Sequence, residues 1–378
     1  MFGREFHPEG GPKILHAMTK GSVHMDIQYI LQQAIEQQAS DIFIVSGCPL
    51  AYKINGAVTP IDSHKLMPED TRSLISSIYV LANTRSMESY DQSGDDDFSF
   101  SIRGLGRFRC NAYKQRGSLA AVLRVMAFTL PDAEAMHIPS TITDLYKKKQ
   151  GLVLITGSAG SGKSTTLACI IDKINHNYDE HIITIEDPIE YLYPHQRSIV
   201  SQREVASDTR NYLKALRAAL RQAPDVILLG EMRDFETIQT AITAAETGQL
   251  VLSTLHTIGA AKTVDRIIDV FPANQQQQVR IQLSMALQAV VSQQLIPSVT
   301  GSLMPAFEVM IVDSAIRNLI REGKTHQIDN AIYAGMGSGM CTMDADILRL
   351  FREGLITKEN ALLYATNCEL MCKKIGEL

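Results

Sequence analysis

The chain has 378 residues, 45% hydrophobic and 20% charged, which is enough for two domains with ordinary cores. Its 36 Lys and Arg against 41 Asp and Glu leave a net charge of −5, which argues against a general nucleic-acid coat. Trp is absent and aromatic residues are only 6%, so a protein built around stacking platforms is not expected either. The six cysteines, at 48, 110, 169, 341, 368 and 372, lack paired CxxC spacing and read as reduced structural thiols. No stretch reaches the ~20 apolar residues that span a bilayer. Met1 to Gly21 carries charges, His, Pro and Gly without an apolar core, and a flexible arm is expected over residues 1–24.

Regular structure is expected from Met25 onward. Asp26 to Gln38 sets Ile27, Ile30, Leu31, Ala34 and Ile35 on one helical face. Asp41 to Val45 and Ala51 to Ile54 read as strands, the second ending at the turn Asn55-Gly56. A helix follows from Pro68 to about Ala82. Phe98 to Ile102 alternates as a strand, and Arg107 to Tyr113 and Ser118 to Met126 give two more. Together these make a small α+β domain over residues 25–130. Pro131 and Pro139 bracket an expected linker, 131–148.

From residue 149 the pattern becomes an α/β alternation. Apolar strands at Leu152 to Thr156, Ile182 to Glu186, Val226 to Leu229 and Leu250 to Thr254 alternate with helices at Lys163 to Ile174, Tyr212 to Gln222 and Glu236 to Ala245. Strands this apolar suit a parallel sheet covered on both faces. Beyond Val279 the periodicity reads as helical, with stripes at Leu283, Leu287, Val290 and Val291, at Ile316, Leu319 and Ile320, and at Ile347, Leu350 and Phe351. Thr357 and Asn360 resemble a weakened helix cap.

Gly157-Ser158-Ala159-Gly160-Ser161-Gly162-Lys163-Ser164 satisfies G-x-x-x-x-G-K-[ST] between an apolar strand and a helix start at Thr165. Three glycines let the main chain curl until its N–H groups face inward, and the helix N-terminus adds its positive end. Lys163 would reach the β- and γ-phosphates of ATP, and the Ser164 hydroxyl would join a Mg2+ shell. Such a loop needs carboxylates beside the sheet. Glu231 stands just beyond the strand Val226 to Leu229, where no Asp is present, while Asp225 belongs to that strand's opposite end. Glu186, Asp187 and Glu190 crowd into five residues, and the residues alone do not rank them. His256 falls at the same sheet edge, where it would sense the γ-phosphate.

These segments resemble the type IV pilus retraction ATPases of the secretion ATPase superfamily over about residues 25–370. The resemblance is carried by Gly157 to Thr165, Thr184 to Glu190, Gln202 to Val205, Gly230 to Asp234, Ala244 to Gly248, Thr254 to Thr257, Ala260 to Arg266 and Ala315 to Arg321. It implies a PAS-like N-terminal domain, a RecA-like P-loop ATPase domain over 149–378 with a helical C-terminal part, and a homohexameric ring. It further implies docking on an inner-membrane platform protein at the cytoplasmic face of the membrane, with an accessory paralogue of the PilU type as a further partner. Glu190 matches the family's catalytic glutamate, Glu231 its Walker B glutamate and a Mg2+ contact, and His256 its His-box histidine. Gly157 to Thr165 match its nucleotide-binding loop. Ala315 to Arg321 match a motif needed for retraction rather than hydrolysis. The architecture also implies arginines acting in trans, for which Arg107, Arg109 and Arg124 are the candidates; the first two share a strand face. Ala223 before Pro224-Asp225, Gln249 after Glu246-Thr247-Gly248, and the arm depart from the pattern. An accessory retraction ATPase, a pilus-assembly or type II secretion ATPase, and a RecA-like nucleic-acid translocase are the alternatives.

Overall fold

A computed structural model describes residues 26–54, 56–83, 86–126 and 130–376. The arm expected over 1–24 and Asn55 of the Asn55-Gly56 turn lie outside the described residues. The chain divides after Phe128 into two units.

In the first unit, α1 (Ile27–Glu36) precedes β1 (Asp41–Ile44), β2 (Pro49–Ile54) and β3 (Ala57–Lys65). Then come α2 (Pro68–Ala82), α3 (Met87–Ser93), β4 (Asp95–Ile102), β5 (Gly106–Gln115) and β6 (Ser118–Met126). The strands form one antiparallel sheet in the order β3-β2-β1-β6-β5-β4. Alternation decides its two faces. Phe98, Phe100, Phe108, Cys110 and Leu123 are buried with Ile75, Ile78 and Tyr79 of α2. Arg107 and Arg109, out of phase with that set, stand on the opposite face. Arg109 is directly across from Arg124, which is directly across from Asp41. Arg109 donates to both Asp97 oxygens at 3.0 and 2.7 Å, the Arg124 Nε to Asp41 at 3.1 Å, and Arg107 to the Ser101 hydroxyl at 3.2 Å.

The second unit opens with α4 (Ser140–Thr143). The stretch expected as a linker is folded here: Ile138, Ile142 and Leu145 are buried in one cluster with Ile170, Ile171 and Ile174. The central part runs β7 (Gly151–Thr156), α5 (Lys163–Asn177), β8 (His181–Glu186), β9 (Ile199–Glu204), α6 (Tyr212–Ala219), β10 (Val226–Leu229), α7 (Phe235–Glu246) and β11 (Leu250–Leu255). After it come α8 (Ala260–Asp269), α9 (Ala273–Ala286), β12 (Leu287–Pro297), β13 (Leu303–Ile311) and α10 (Ser314–Arg321). The chain ends in α11 (Ile328–Ala334), α12 (Met343–Arg352), α13 (Lys358–Tyr364) and α14 (Cys368–Gly376).

The seven-stranded sheet has the order β13-β12-β7-β11-β10-β8-β9. All neighbours are parallel except β12 and β13, so the sheet is mixed. Successive strand residues enter different cores, Leu152 and Leu154 on one side and Val153 and Ile155 on the other. Ile227 and Leu229 against Val226 and Leu228 repeat the split, which is why these strands lack a polar face.

The stripe at Leu283, Leu287, Val290 and Val291 is not one helix. α9 stops at Ala286, and Leu287 begins β12, paired with β7 and β13. β12 is largely buried on both faces, so its apolar residues do not alternate, and Leu287, Val290 and Val291 also satisfy helical spacing. Ile316 and Ile320 are the fully buried face of α10, and Arg317 from the same helix donates to the Ser284 and Met285 carbonyls at 2.7 and 2.9 Å. Those carbonyls end α9 and need a donor. Asn360 N–H donates to the Thr357 hydroxyl at 3.2 Å, capping α13. Among the described residues no helix is long and apolar enough to cross a membrane.

Candidate active site

The parallel strands β7, β8, β10 and β11 all release their chains at the same sheet edge. After β7 the chain makes the loop from Gly157 to Gly162. Gly157, Gly160 and Gly162 have φ of +141°, +75° and +86°, a region that favours glycine. Space imposes a second demand: a Cβ on Gly157 would land on the Gln293 carbonyl oxygen and lie 2.7 Å from Ser161 Oγ, and one on Gly162 would lie 2.8 Å from Gln293 Nε2. Lys163 opens α5 and curls back, its Nζ donating to the Gly157 and Ser158 carbonyls at 3.0 and 2.8 Å. Burial holds its pKa below the ordinary lysine value, while Glu190 and Glu231 act in the opposite sense. Both carboxylates therefore stand within electrostatic reach of the loop lysine. The buried Ser161 hydroxyl has no hydrogen-bond partner in the structure, which fits a loop shaped around an acceptor-rich ligand.

Glu231 follows β10 and Gly230. Its carboxylate lies 2.5 Å from an Arg233 nitrogen and 3.4 Å from His256 Nε2. The Arg233 guanidinium is held above its ordinary pKa by that carboxylate. Glu231 and His256 also line a cavity of about 440 Å3 with Arg233 and Arg266, so the carboxylate faces open space although it is mostly covered. His256, at the end of β11, is half exposed. Asp225, at the other end of β10, accepts from the His181 N–H at 2.8 Å and is remote from this edge.

The three carboxylates after β8 are separated by their surroundings. Glu186 is buried, and its oxygen accepts from the Thr184 hydroxyl at 2.6 Å. Desolvation pushes its pKa up to about 7. Asp187 and Glu190 are exposed. Asp187 acts on Tyr212, whose hydroxyl is 2.9 Å from where a Cβ on Gly230 would be. Glu190 acts on Lys163.

Thr165, expected among the nucleotide-binding residues, has its hydroxyl 3.1 Å from that of Tyr191. Its neighbour Thr166 donates to Gln293 Oε1 at 2.7 Å, a buried bond across to β12. Tyr191 and Gln293 were not singled out in the sequence. Gln293-Gln294 inside the apolar run Ala289 to Ile296 was the available signal, because a polar pair in a buried strand needs partners.

The donor set suits magnesium. Ser164 and Glu231 offer hard oxygens. Among the described residues no cluster of three or more His, Cys, Asp or Glu forms a metal cage, and Mg2+ is commonly held by one or two side chains together with substrate phosphates.

Comparison with known proteins gives a consistent result. The family model described as type II/IV secretion system protein matches residues 16–353. The type IV pilus retraction ATPase PilT of Pseudomonas aeruginosa is 44% identical over 337 residues, covering 89% of this chain and 97% of that one. The type IV pilus ATPase PilU of the same organism is 40% identical over 342 residues, covering 90% and 89%. A crystal structure of the pilus retraction motor PilT with bound ADP superposes with a TM-score of 0.86 at 46% identity, covering 93% of this chain and all of that one.

Proposed function

The chain belongs to the type II/IV secretion system protein family as a retraction ATPase of the PilT/PilU type, and we propose that it is the motor driving type IV pilus retraction and twitching motility. It is an ATP-hydrolysing enzyme with a RecA-like P-loop core and an N-terminal α+β unit. What carries the reading is the convergence of the phosphate loop, Glu190 and Glu231 at one sheet edge, in a chain 44% identical to a retraction ATPase.

In this reading the N–H groups of residues 157–165 cradle the ATP phosphates, and Lys163 exchanges its two loop carbonyls for the β- and γ-phosphates. Ser164 and Glu231, the latter through water, would hold Mg2+, which supplies charge neutralisation between the phosphates when bound. Glu190 accepts a proton from water as its oxygen bonds to the γ-phosphorus. The bond from that phosphorus to the β,γ-bridging oxygen breaks, and ADP keeps the electron pair. His256, beside Glu231, reports the γ-phosphate to β11. The carboxylate of Glu186 is buried and bonded, which sets it apart from the exposed Glu190, the residue that matches the family's catalytic glutamate.

The working unit is a homohexamer bound to an inner-membrane platform protein at the cytoplasmic face, alone or with a PilU-type paralogue. Residues 25–130 form the N-terminal domain, read as PAS-like on its antiparallel sheet and helices. Residues 131–148, whose Ile138, Ile142 and Leu145 pack in the core of the second unit, lead into the ATPase domain, 149–378. Arg107, Arg109 and Arg124 act on the nucleotide of a neighbouring subunit, and α10 couples hydrolysis to the pilus. The test is twitching motility in a deletion strain. Wild type should restore movement, whereas Glu231→Gln should bind ATP without restoring it. Normal retraction in the deletion strain would overturn the reading.

A further inference from the structure

The segment carrying Glu190 has no regular structure of its own, yet its main chain is fixed on both sides of that residue. The Ile189 N–H donates to Glu204 Oε2 at 3.0 Å. Gln202 Nε2 donates to the Tyr191 carbonyl at 2.8 Å, and the Tyr193 N–H donates to Gln202 Oε1 at 2.9 Å. Both partners belong to β9, the edge strand next to β8. These bonds attach the segment to the sheet, but they do not set its distance from the phosphate loop. The bond that does so is side chain to side chain: Tyr191 Oη and Thr165 Oγ1 are 3.1 Å apart, partly buried. Tyr191 follows Glu190 directly, and Thr165 follows Ser164.

We propose that the Tyr191 hydroxyl is a positioning group, registering the Glu190 carboxylate against the phosphate loop through Thr165. This rests on Glu190 being the general base. An exposed carboxylate on an irregular segment has many rotamers, and a base must meet its water at hydrogen-bond distance. A tether one residue away, ending on the first turn of α5, narrows that range where loop and base must agree. The Tyr191 ring packs on the core that contains Leu167, Ile170 and Tyr193, so the ring anchors the segment and the hydroxyl sets its reach. Burial holds the phenol above its ordinary pKa, and either hydroxyl of the pair can donate to the other.

The full-length protein provides the test, with ATP turnover, nucleotide affinity and melting temperature measured together. Tyr191→Phe keeps the ring and should lower kcat about tenfold, less than the roughly hundredfold that a misplacement of about 1 Å can cost, with ATP affinity and melting temperature nearly unchanged. Thr165→Val should lower kcat similarly, and Thr165→Ser, which keeps a hydroxyl, should lose less. The double variant Tyr191→Phe with Thr165→Val should be no worse than the poorer single one. In a Glu190→Gln background Tyr191→Phe should cost nothing more. Unchanged kcat in Tyr191→Phe, or the same loss with and without Glu190, overturns the proposal. A rise in KM at constant kcat also overturns it, because the bond would then serve binding. Glu190→Gln alone separates the two levels: if its turnover stays near wild type, the base assignment fails, whatever Tyr191→Phe does.

Discussion

Glu186 and Glu190 stand four residues apart and meet opposite surroundings. Glu190 is exposed and within electrostatic reach of Lys163, so Glu190→Gln should keep ATP binding and lose about 10²- to 10⁴-fold in turnover. A loss below about tenfold in steady-state hydrolysis would remove it from the base position. Glu186 is buried, and its folded pKa of about 7 exceeds the value of 4.5 expected when unfolded. The folded protein therefore holds a proton that the unfolded chain has already released between those values. Stability should fall as pH rises from 4.5 to about 7 and level off above. At 1.36 kcal/mol for each tenfold difference in acidity, the full effect is about 3 kcal/mol. Glu186→Gln removes this titration, so its advantage in unfolding free energy over wild type should grow between about pH 5 and about pH 8. Denaturant melts at both pH values check this, and a constant difference would show that folding does not raise the Glu186 pKa.

Among the elements, β12 joins the site to the C-terminal half of the unit. Its Gln293 accepts from Thr166, and its carbonyl and amide nitrogen fill the space beside Gly157 and Gly162. Gln293→Ala should therefore loosen the loop and weaken ATP binding about tenfold, the scale of one buried hydrogen bond left unmade. Equilibrium titration with a fluorescent ATP analogue measures it, and unchanged affinity would show that the loop holds its shape without β12. This element also marks where sequence reading ends. The loop from Gly157 to Ser164 was legible because its glycines, lysine and flanking strand and helix are local. β7, β8, β10 and β11 were legible because each is a short apolar run closed by a turn. β12 was not, because Leu283, Leu287, Val290 and Val291 satisfy helical spacing and burial on two faces hides the strand period. β9 was missed for the opposite reason: only Ile199 and Val200 in it are apolar, and its place is fixed by pairing with β8. The bonds from Thr165 to Tyr191 and from Thr166 to Gln293 span 26 and 127 residues, and no local pattern announces them.

At the scale of the whole molecule, the arginines of the first unit bear on whether hydrolysis belongs to the ring. Arg109 and Arg124 face each other across β5 and β6, paired with Asp97 and Asp41. Arg107 shares their sheet face. The Arg109–Asp97 pair is exposed on both sides, at 36% and 42%, and such pairs contribute only about 0–1 kcal/mol, whereas Asp41 is buried and depends more on Arg124. A phosphate group from a neighbouring subunit can therefore compete for the Arg109 guanidinium at small cost, and for Arg124 at the larger cost of uncovering Asp41. An arginine delivered in trans is worth about 10³- to 10⁵-fold in turnover in other P-loop enzymes. Arg107→Ala, Arg109→Ala or Arg124→Ala should thus lower kcat more than ATP affinity, and one of them should dominate. Mixing identifies the subunit that supplies it. In a ring formed from equal parts Arg124→Ala and Lys163→Ala protein, an interface works when its loop comes from the first and its arginine from the second. Random assembly makes about one quarter of interfaces complete in this way, so activity should rise toward about one quarter of wild type. Each variant alone should remain near background. Specific activity of the wild type should also climb with protein concentration as light scattering reports ring formation. A mixture no more active than the mean of its two components would place loop and arginine in the same subunit, or leave the arginines outside the reaction.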